Sequence, residues 1–175
     1  MRKLCLVLVF CGAASGARAA DWDRFLETGF SAEAPQARAI CFARVYDAAH
    51  LAANKAQRIR DIAIRLAIRV ENGKPRLEQH LVAHLVGSAR KFVSNGECRK
   101  FRGRLARCHV EGDGGGVDLT LARNGEALTA RFDNLRIWRP QEAADESGMV
   151  LDRSPVDKVA RLDKAALSAC AAAGD

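Results

Sequence analysis

Several motifs that would assign a chemistry are missing from this sequence. It contains no C-x-x-C pair, so the cysteine spacing of common structural zinc sites is absent. The glycine-rich run at 112–116 lacks the G-x-G-x-x-G frame of a dinucleotide-binding turn, and the acidic residues around it do not follow the calcium-loop pattern. Aromatic residues make up 6% of the chain, and its basic segment lacks the interleaved aromatic rings of a nucleic-acid platform. We therefore predict no cofactor, no metal site, no catalytic residue and no nucleic-acid partner.

The first 19 residues have the three parts of a secretory signal peptide. Arg2 and Lys3 form a positive start, residues 4–10 are apolar, and A-R-A at 17–19 is a small-x-small cleavage site. The apolar run is too short to span a membrane, and no other run approaches the roughly 18 residues that a spanning helix needs. We expect residues 1–19 to be removed and the mature chain to be periplasmic or secreted, with no transmembrane segment.

The mature chain is long enough for a single domain with its own core. Residues 20–38 are mixed in character and are interpreted as an N-terminal segment or linker, and residues 39–173 as one β-rich domain. The net charge of the full chain is +7, but Arg2, Lys3 and Arg18 leave with the signal peptide. The remaining mild basicity is compatible with an acidic partner but does not require one.

The cysteines that follow the signal peptide are Cys41, Cys98, Cys108 and Cys170. Four cysteines in an exported chain predict two disulfides. Cys98 and Cys108 are symmetric about residue 103, so a tight turn there places them opposite each other across a hairpin, at a separation that suits a disulfide. Cys41 and Cys170 would then join the two ends of the domain.

Alternation of apolar and polar residues predicts a series of β-hairpins. Arg58 to Glu71 is the clearest strand, because every second residue from Ile62 to Val70 is a large aliphatic one, and Asn72-Gly73 is a strong two-residue hairpin signal. A turn of that kind places Ile64 opposite Leu81 and Arg65 opposite His80. Similar alternation follows the glycine run at 112–116. We predict a mainly β fold, an antiparallel hairpin meander that forms a small barrel or sandwich with short flanking helices and two disulfides.

Residues 76–93 leave two interpretations open. As a helix that begins after Pro75, they would present one apolar face and place His80 and His84 at the i, i+4 spacing that suits zinc. As a strand, they would hold the same two imidazoles about 13 Å apart, too far to share a metal. The Asn72-Gly73 turn favours the strand.

Tyr46, Asp47 and His50 form a candidate polar cluster in the alanine-rich segment 40–53, whose composition favours a helix. On a helix, Asp47 and His50 would share a face, as a carboxylate that orients an imidazole for acid–base catalysis would require. A surface pair is the alternative, because no nucleophile or metal ligand is near in sequence. A metal-dependent or acid–base hydrolase using Asp47, His50, His80 and His84 is the alternative function.

Five cations surround the predicted Cys98–Cys108 hairpin: Arg99, Lys100, Arg102, Arg104 and Arg107. Such a basic loop is a candidate anion-binding site for an envelope polyanion, and a solvated charged turn is the alternative. A small ligand or another protein are the other candidate partners.

Three short segments resemble a group of small exported proteins of proteobacteria. They are YDAAHLA at 46–52, Cys108 followed by DGGG at 113–116, and V-x-R-L at 159–162 before Cys170. The resemblance implies an exported protein whose domain covers most of the mature chain, and it implies no mechanism. The sequence as a whole is that of a periplasmic, non-enzymatic binding or envelope-associated module.

Overall fold

The computed structural model describes residues 39–100, 105–140 and 148–171. Eight of the strands in these ranges close into an antiparallel barrel, so the predicted mainly β fold is confirmed. The strands are β1 (Ala39–Val45), β2 (Ile59–Glu71), β3 (Lys74–Leu85), β4 (Lys91–Lys100), β5 (Leu105–His109), β6 (Gly116–Leu121), β7 (Ala127–Asp133), β8 (Arg136–Ile137), β9 (Met149–Val150) and β10 (Val159–Ala165). The helices are α1 (Ala48–Ala53) and α2 (Ser168–Ala171). The predicted signal peptide and the segment 20–38 lie outside the described residues.

The order of strands around the barrel is β1-β10-β7-β6-β5-β4-β3-β2. Strands β2 to β7 form the predicted meander, in which each strand pairs with the next. β1 and β10 come from opposite ends of the domain and pair with each other, with Cys41 opposite Ala165. This pairing closes the barrel.

The Asn72-Gly73 hairpin has the predicted register. Ile64 lies opposite Leu81, and Arg65 lies opposite His80. Asn72 and Gly73 have φ values of 50° and 72°, the positive values that a type I′ turn requires. The turn and the alternation therefore agree, and residues 74–85 form a strand rather than a helix.

Inward-facing side chains fill the barrel. The largest fully buried ones on its strands are Phe42, Ile62, Ile64, Leu66, Leu81, Leu119, Leu121 and Leu128. The Cys98–Cys108 disulfide belongs to the same buried cluster and joins directly opposite residues of β4 and β5, as predicted. These buried side chains belong to one continuous cluster, so side chains fill the barrel interior.

The connection between β7 and β10 covers the end of the barrel at which β2 begins. Its Leu135, Ile137 and Leu151 are buried, and the buried Asp152 carboxylate accepts hydrogen bonds from two backbone N–H groups of the same connection. The polar, proline-flanked residues 140–155 are typical of a surface loop, but Leu151 and Asp152 are buried. The polar sequence conceals this burial, because backbone donors satisfy the carboxylate.

Asp157 joins this connection to β2. Its carboxylate is 2% exposed and accepts hydrogen bonds from the backbone N–H groups of Arg58 at 2.9 Å and Ile59 at 3.4 Å. Burial raises the pKa of this carboxyl above its usual value, and the two backbone bonds partly oppose the rise.

The predicted helix over residues 40–53 is wrong for 39–45, which form β1. Cys41 and Ala43 lie on its outer face, where they pack with Ala63 and the disulfide partner Cys170. Apolar residues thus occupy both faces of β1, and the alternation that marks a strand is hidden. The Cys41–Cys170 disulfide, predicted from the sequence, holds α2 against this outer face.

Candidate functional site

The structure brings together Tyr46, Asp47 and His50, the predicted polar cluster, at the start of α1. Asp47 is the N-cap of this helix, and its carboxylate accepts a hydrogen bond from the His50 backbone N–H at 2.7 Å. The Tyr46 ring stacks on the imidazole with 4.8 Å between centroids, and His50 Nε2 contacts Gln57 Oε1 at 2.9 Å. Burial raises the pKa of Tyr46. Asp47 thus begins a helix and binds the backbone, not the imidazole that acid–base catalysis would use.

The residues of the alternative hydrolase do not converge. His80 and His84 lie on the outer face of β3, where four residues of strand separate them by about 13 Å. His50 lies on α1. Among the described residues, no group of three or more His, Cys, Asp or Glu side chains is placed to hold a metal ion. The geometry gives the hydrolase no support.

Asp61 and His84 form a carboxylate–imidazole contact, with 2.6 Å between Asp61 Oδ1 and His84 Nδ1. The predicted hairpin register places the two residues opposite each other. A Ser-His-Asp triad also needs a hydroxyl beside the other imidazole nitrogen. Ser88, in the turn after β3, uses its hydroxyl to accept a hydrogen bond from the Arg90 backbone N–H.

The structure describes three of the five predicted anion-binding cations, Arg99, Lys100 and Arg107. Arg102 and Arg104 lie outside the described residues, and Lys100 and Arg99 end β4 as exposed residues. Arg107 donates two hydrogen bonds to Asp118 on β6, at 2.5 and 2.7 Å.

This Arg107–Asp118 pair has an electrostatic consequence. The hydrogen bond from Arg107 lowers the pKa of Asp118 and raises that of the guanidinium. A guanidinium that already binds a carboxylate through two bonds is poorly available to an external anion. Arg107 therefore contributes less to an anion site than its charge alone suggests.

A groove of about 1000 Å³ lies over the outer wall of β3, β4 and β5. Residues 110–113, after β5, form one side, and residues 138–140 form another. Arg76 in this groove pairs with Glu71 and Glu97, with nitrogen–oxygen distances of 2.6 Å in both pairs. Its charges are thus largely compensated within the protein. We call this feature the outer groove.

Strand β4 changes neighbour inside the outer groove. Val93 exchanges two backbone hydrogen bonds with Trp138, at 2.8 and 2.9 Å, whereas Glu97 lies opposite His109 of β5. Asn95 lies between them, and alternate residues of a strand direct their backbone groups to the same side. The N–H and C=O of Asn95 therefore point into the gap between Trp138 and His109. Asn95 is exposed, so the groove presents one donor and one acceptor of a sheet edge.

Two inward-facing polar side chains are buried behind this gap. Gln79 is 0% exposed and Ser94 is 1% exposed, and both side chains face the barrel interior from strands whose outer side borders the outer groove. Within the described ranges, neither amide atom of Gln79 nor the Ser94 hydroxyl has a hydrogen-bond partner. Gly96 lies opposite Gln79, and a Cβ there would be 3.3 Å from Gln79 Nε2. We call Gln79, Ser94 and Gly96 the polar niche.

The niche residues are not among those that the sequence analysis singles out, although a local signal exists. Gln79 occupies a core position between Leu77 and Leu81 in the alternation of β3. Ser94 and Gly96 take the equivalent positions between Phe92 and Cys98 in β4. A polar residue in the apolar half of a strand pattern is the sign that could have indicated the site.

None of the helices in the ranges that the structure describes is long and apolar enough to cross a bilayer. Comparison with known proteins identifies no relative, since no protein-family model, curated protein or solved structure matches the chain. The resemblance to small exported proteins of proteobacteria stays a prediction.

Proposed function

We propose that this protein is an exported, non-enzymatic binding module, periplasmic or secreted, and that it binds its ligand in the outer groove. The observation that carries the proposal is the gap in the pairing of β4, where the backbone N–H and C=O of Asn95 point into the outer groove between Trp138 and His109. A ligand that carries an N–H or a C=O can pair with this exposed strand edge as a neighbouring strand would.

The packed interior supports a site on the outer wall. Barrels of eight strands that carry a small ligand inside leave space for it between their side chains. Here the inward-facing Phe42, Leu81 and Leu119 are each 0% exposed and belong to one continuous cluster.

Two disulfides support export. Cys41–Cys170 and Cys98–Cys108 would form and persist in an oxidising compartment, such as the periplasm or the cell exterior. The signal-peptide pattern at residues 1–19 points to the same compartment.

The charges of the outer groove favour a neutral polar ligand over an envelope polyanion. Arg76 is held by two carboxylates, and Arg69 lies 3.8 Å from Glu78. A polyanion would have to displace these carboxylates and would meet their repulsion.

A fragment titration with two readouts tests the proposal. Trp22 and Trp138 are the two tryptophans of the chain, so a Trp22→Phe variant reports fluorescence from the groove alone. We expect neutral polar fragments from a set of amides, alcohols, carboxylates and amines to change this fluorescence and to shift the amide NMR signals of Asn95 and His109. Signals of Thr129, on the outer face of β7, should stay in place. Shifts confined to inward residues of β6 and β7, or no response to any fragment, would contradict the proposal.

A further inference from the structure

Three connections between strands meet at the end of the barrel where β2 begins. The first carries α1 between β1 and β2, the second joins β3 to β4, and the third precedes β10. The backbone of Arg58 links them, because its carbonyl accepts a hydrogen bond from the Val86 N–H at 2.8 Å and its N–H donates to the Asp157 carboxylate at 2.9 Å. We call the surface that these connections form, which consists of residues 45–56, 86–90 and 153–159, the rim surface.

The rim surface exposes apolar side chains to solvent. Six large apolar side chains are exposed within the described residues, and four of them belong to this surface: Val45 at 73%, Val86 at 49%, Val156 at 45% and Val159 at 41%. Helix α1, with the sequence AAHLAA, buries none of its residues. Apolar residues that are scattered singly over a protein are normal, whereas a cluster of them marks an interaction site.

The exposed charges of the rim surface are mainly positive. Its exposed carboxylate, Asp47, accepts a hydrogen bond from the His50 backbone N–H, and the Asp157 carboxylate is buried. No side chain of its four exposed cations forms an ion pair or a hydrogen bond in the described part of the chain; these cations are Lys55, Arg90, Arg153 and Lys158. This end of the barrel therefore attracts an anionic surface.

The opposite end of the barrel differs in both respects. Two of its cations are paired, since Arg76 lies 2.6 Å from Glu71 and Lys164 lies 3.1 Å from Glu126. Val70, at 68% exposure, is the exposed large apolar side chain of the β2–β3 hairpin there. The combination of clustered valines with unpaired cations is thus a property of the rim surface and not of the whole barrel.

We infer that the rim surface binds a bilayer that contains anionic phospholipids. Apolar side chains of a peripheral protein enter the boundary between headgroups and acyl chains, and the lysines and arginines beside them are attracted by anionic headgroups. Valine and alanine are small, so the cations supply much of the affinity and the binding is reversible. The inference goes beyond the proposed function, because it concerns a different surface of the barrel and a different partner.

The charges argue against two other occupants of the rim surface. A second copy of the chain, related by a twofold axis, would bring the same unpaired cations face to face, and like charges across an interface repel each other. A soluble polyanion would pair with the cations but would leave the valines exposed to water. An anionic bilayer satisfies both kinds of group.

Co-sedimentation of the mature, disulfide-bonded chain with vesicles tests the inference. One set of vesicles is pure phosphatidylcholine, and the other is an equal mixture of phosphatidylcholine and phosphatidylglycerol. We expect binding to the mixed vesicles, with affinity for pure phosphatidylcholine about tenfold lower or less. Binding to the mixed vesicles should be lost in about 1 M salt, where the Debye length is about 3 Å.

Paired variants at the two ends of the barrel locate the contact. Lys55→Gln combined with Lys158→Gln should weaken binding to the mixed vesicles by more than about tenfold, because each cation near an anionic surface contributes about fivefold. Lys74→Gln combined with Arg123→Gln is the matched control, since it removes two exposed cations from the opposite end and should leave binding unchanged.

Two valines of similar exposure test the apolar part of the contact. Val45→Ser, at a position that is 73% exposed on the rim surface, should weaken binding. Val70→Ser, at 68% exposure at the opposite end, should not. Both positions are exposed, so circular dichroism should show the same fold for both variants and for the wild type.

Four results would overturn the inference. The rim surface is not the contact if its cation variant binds as well as the control variant, and the cations do not act on headgroups if both sets of vesicles bind equally. If sedimentation equilibrium shows a dimer that Val45→Ser disrupts, and no vesicle binds, the rim surface joins two copies of the chain. Absence of both binding and dimer also refutes it. The outer groove is unaffected by any of these results, because the fragment titration measures its binding through Trp138.

Discussion

Two sectors of one barrel wall face the same interior with different chemistry. On β6 and β7 the inward positions are all apolar and buried: Val117, Leu119, Leu121, Leu128, Ala130 and Phe132. On β3 and β4 the corresponding rows contain Gln79, Ser94 and Gly96. Hydrophobic packing alone accounts for the residue types in the first sector. The second sector has polar residues and a glycine in place of apolar ones, where the wall is thin and the outer groove lies outside it. Functional sites are expected to break the packing pattern in this way.

The outer faces of the two sectors differ in the same sense. Outside β5 and β6, Arg107 and Asp118 satisfy each other. Outside β4, the backbone of Asn95 points into a gap because β4 pairs with Trp138 on one side of it and with His109 on the other. In the first sector the inward side chains are apolar, and the Arg107–Asp118 pair satisfies its own charges on the outside; we call it the saturated sector. In the second sector, hydrogen-bonding groups without a described partner occur on both faces.

The largest effect is expected in the packed sector. Leu119→Ala removes a side chain that is 0% exposed and leaves a cavity among close-packed neighbours, so we expect a loss of about 3–5 kcal/mol in the free energy of unfolding. Urea denaturation followed by circular dichroism measures it. Val45→Ala, at a position that is 73% exposed, is the control and should change stability by less than about 0.5 kcal/mol. A small effect of Leu119→Ala would show that the interior is not closely packed and would remove the contrast between the sectors.

An intermediate effect is expected at Gly96, where the two sectors differ in steric terms. Gly96→Ala places a Cβ 2.5 Å from the His109 backbone oxygen, so β4 and β5 must separate and we expect a loss of about 1–3 kcal/mol. Gly73→Ala is a poor control, because Gly73 has a positive φ of 72° that strains any other residue. Ala106→Gly, within β5, is a better one, since it weakens the neighbouring strand without a clash. If Gly96→Ala is as stable as the wild type, the wall can adapt and the glycine is not required there.

The pairs of strands in the barrel also differ in how far the sequence predicts them. The register of β2 and β3 follows from Asn72-Gly73 and from uninterrupted alternation, both of which are local. The sequence does not predict β1 as a strand, because alanine and cysteine make both of its faces apolar. It does not predict the pairing of β1 with β10 either, because this pairing joins the two ends of the domain. No local pattern encodes a contact of that separation.

The candidate site shows the same limit. Gln79 could have been recognised, because a glutamine interrupts an apolar row that Leu77 and Leu81 define. The gap at Asn95 could not, since it depends on Trp138 reaching β4 from a distant connection. The cluster of Tyr46, Asp47 and His50 is visible in the sequence, but only the structure shows that Asp47 caps a helix. The sequence shows that polar side chains such as these lie close together more readily than it shows which groups they bind.

Ser94 gives a smaller effect of opposite sign. Ser94→Ala removes a buried hydroxyl that lacks a partner in the described part of the chain, so we expect a gain of about 1 kcal/mol in the free energy of unfolding. Differential scanning calorimetry of the mature chain measures it. Ser88→Ala is the matched control, because its hydroxyl accepts a hydrogen bond from Arg90 and its loss should destabilise slightly. A loss of stability in Ser94→Ala would mean that the hydroxyl already has a partner and that the sectors do not differ in this respect.

The smallest effect concerns the outer wall of the saturated sector. The hydrogen bond from Arg107 holds the pKa of Asp118 below its usual value of 3.8. A carboxyl whose pKa is lower in the folded than in the unfolded chain contributes stability above the unfolded value and loses that contribution as the pH falls through the folded one. Arg107→Gln should therefore lower the thermal midpoint slightly at pH 7, with a difference from wild type that shrinks as the pH falls below 3.8 toward the folded pKa of Asp118. High salt should shrink the difference at pH 7, since both side chains are partly exposed.

Asp118→Asn is the matched control for that measurement. It removes the titrating group, so adding Arg107→Gln to it should cause no further pH-dependent change in the midpoint. Asp157 should contribute in the opposite direction, because burial raises its pKa: its share of the stability is present at low pH and is lost as the pH rises through the folded value. If the effect of Arg107→Gln is unchanged at pH 2, the Arg107 guanidinium does not act through the Asp118 carboxylate. Arg107 would then be free to bind an external anion, and the saturated sector would carry a site of its own.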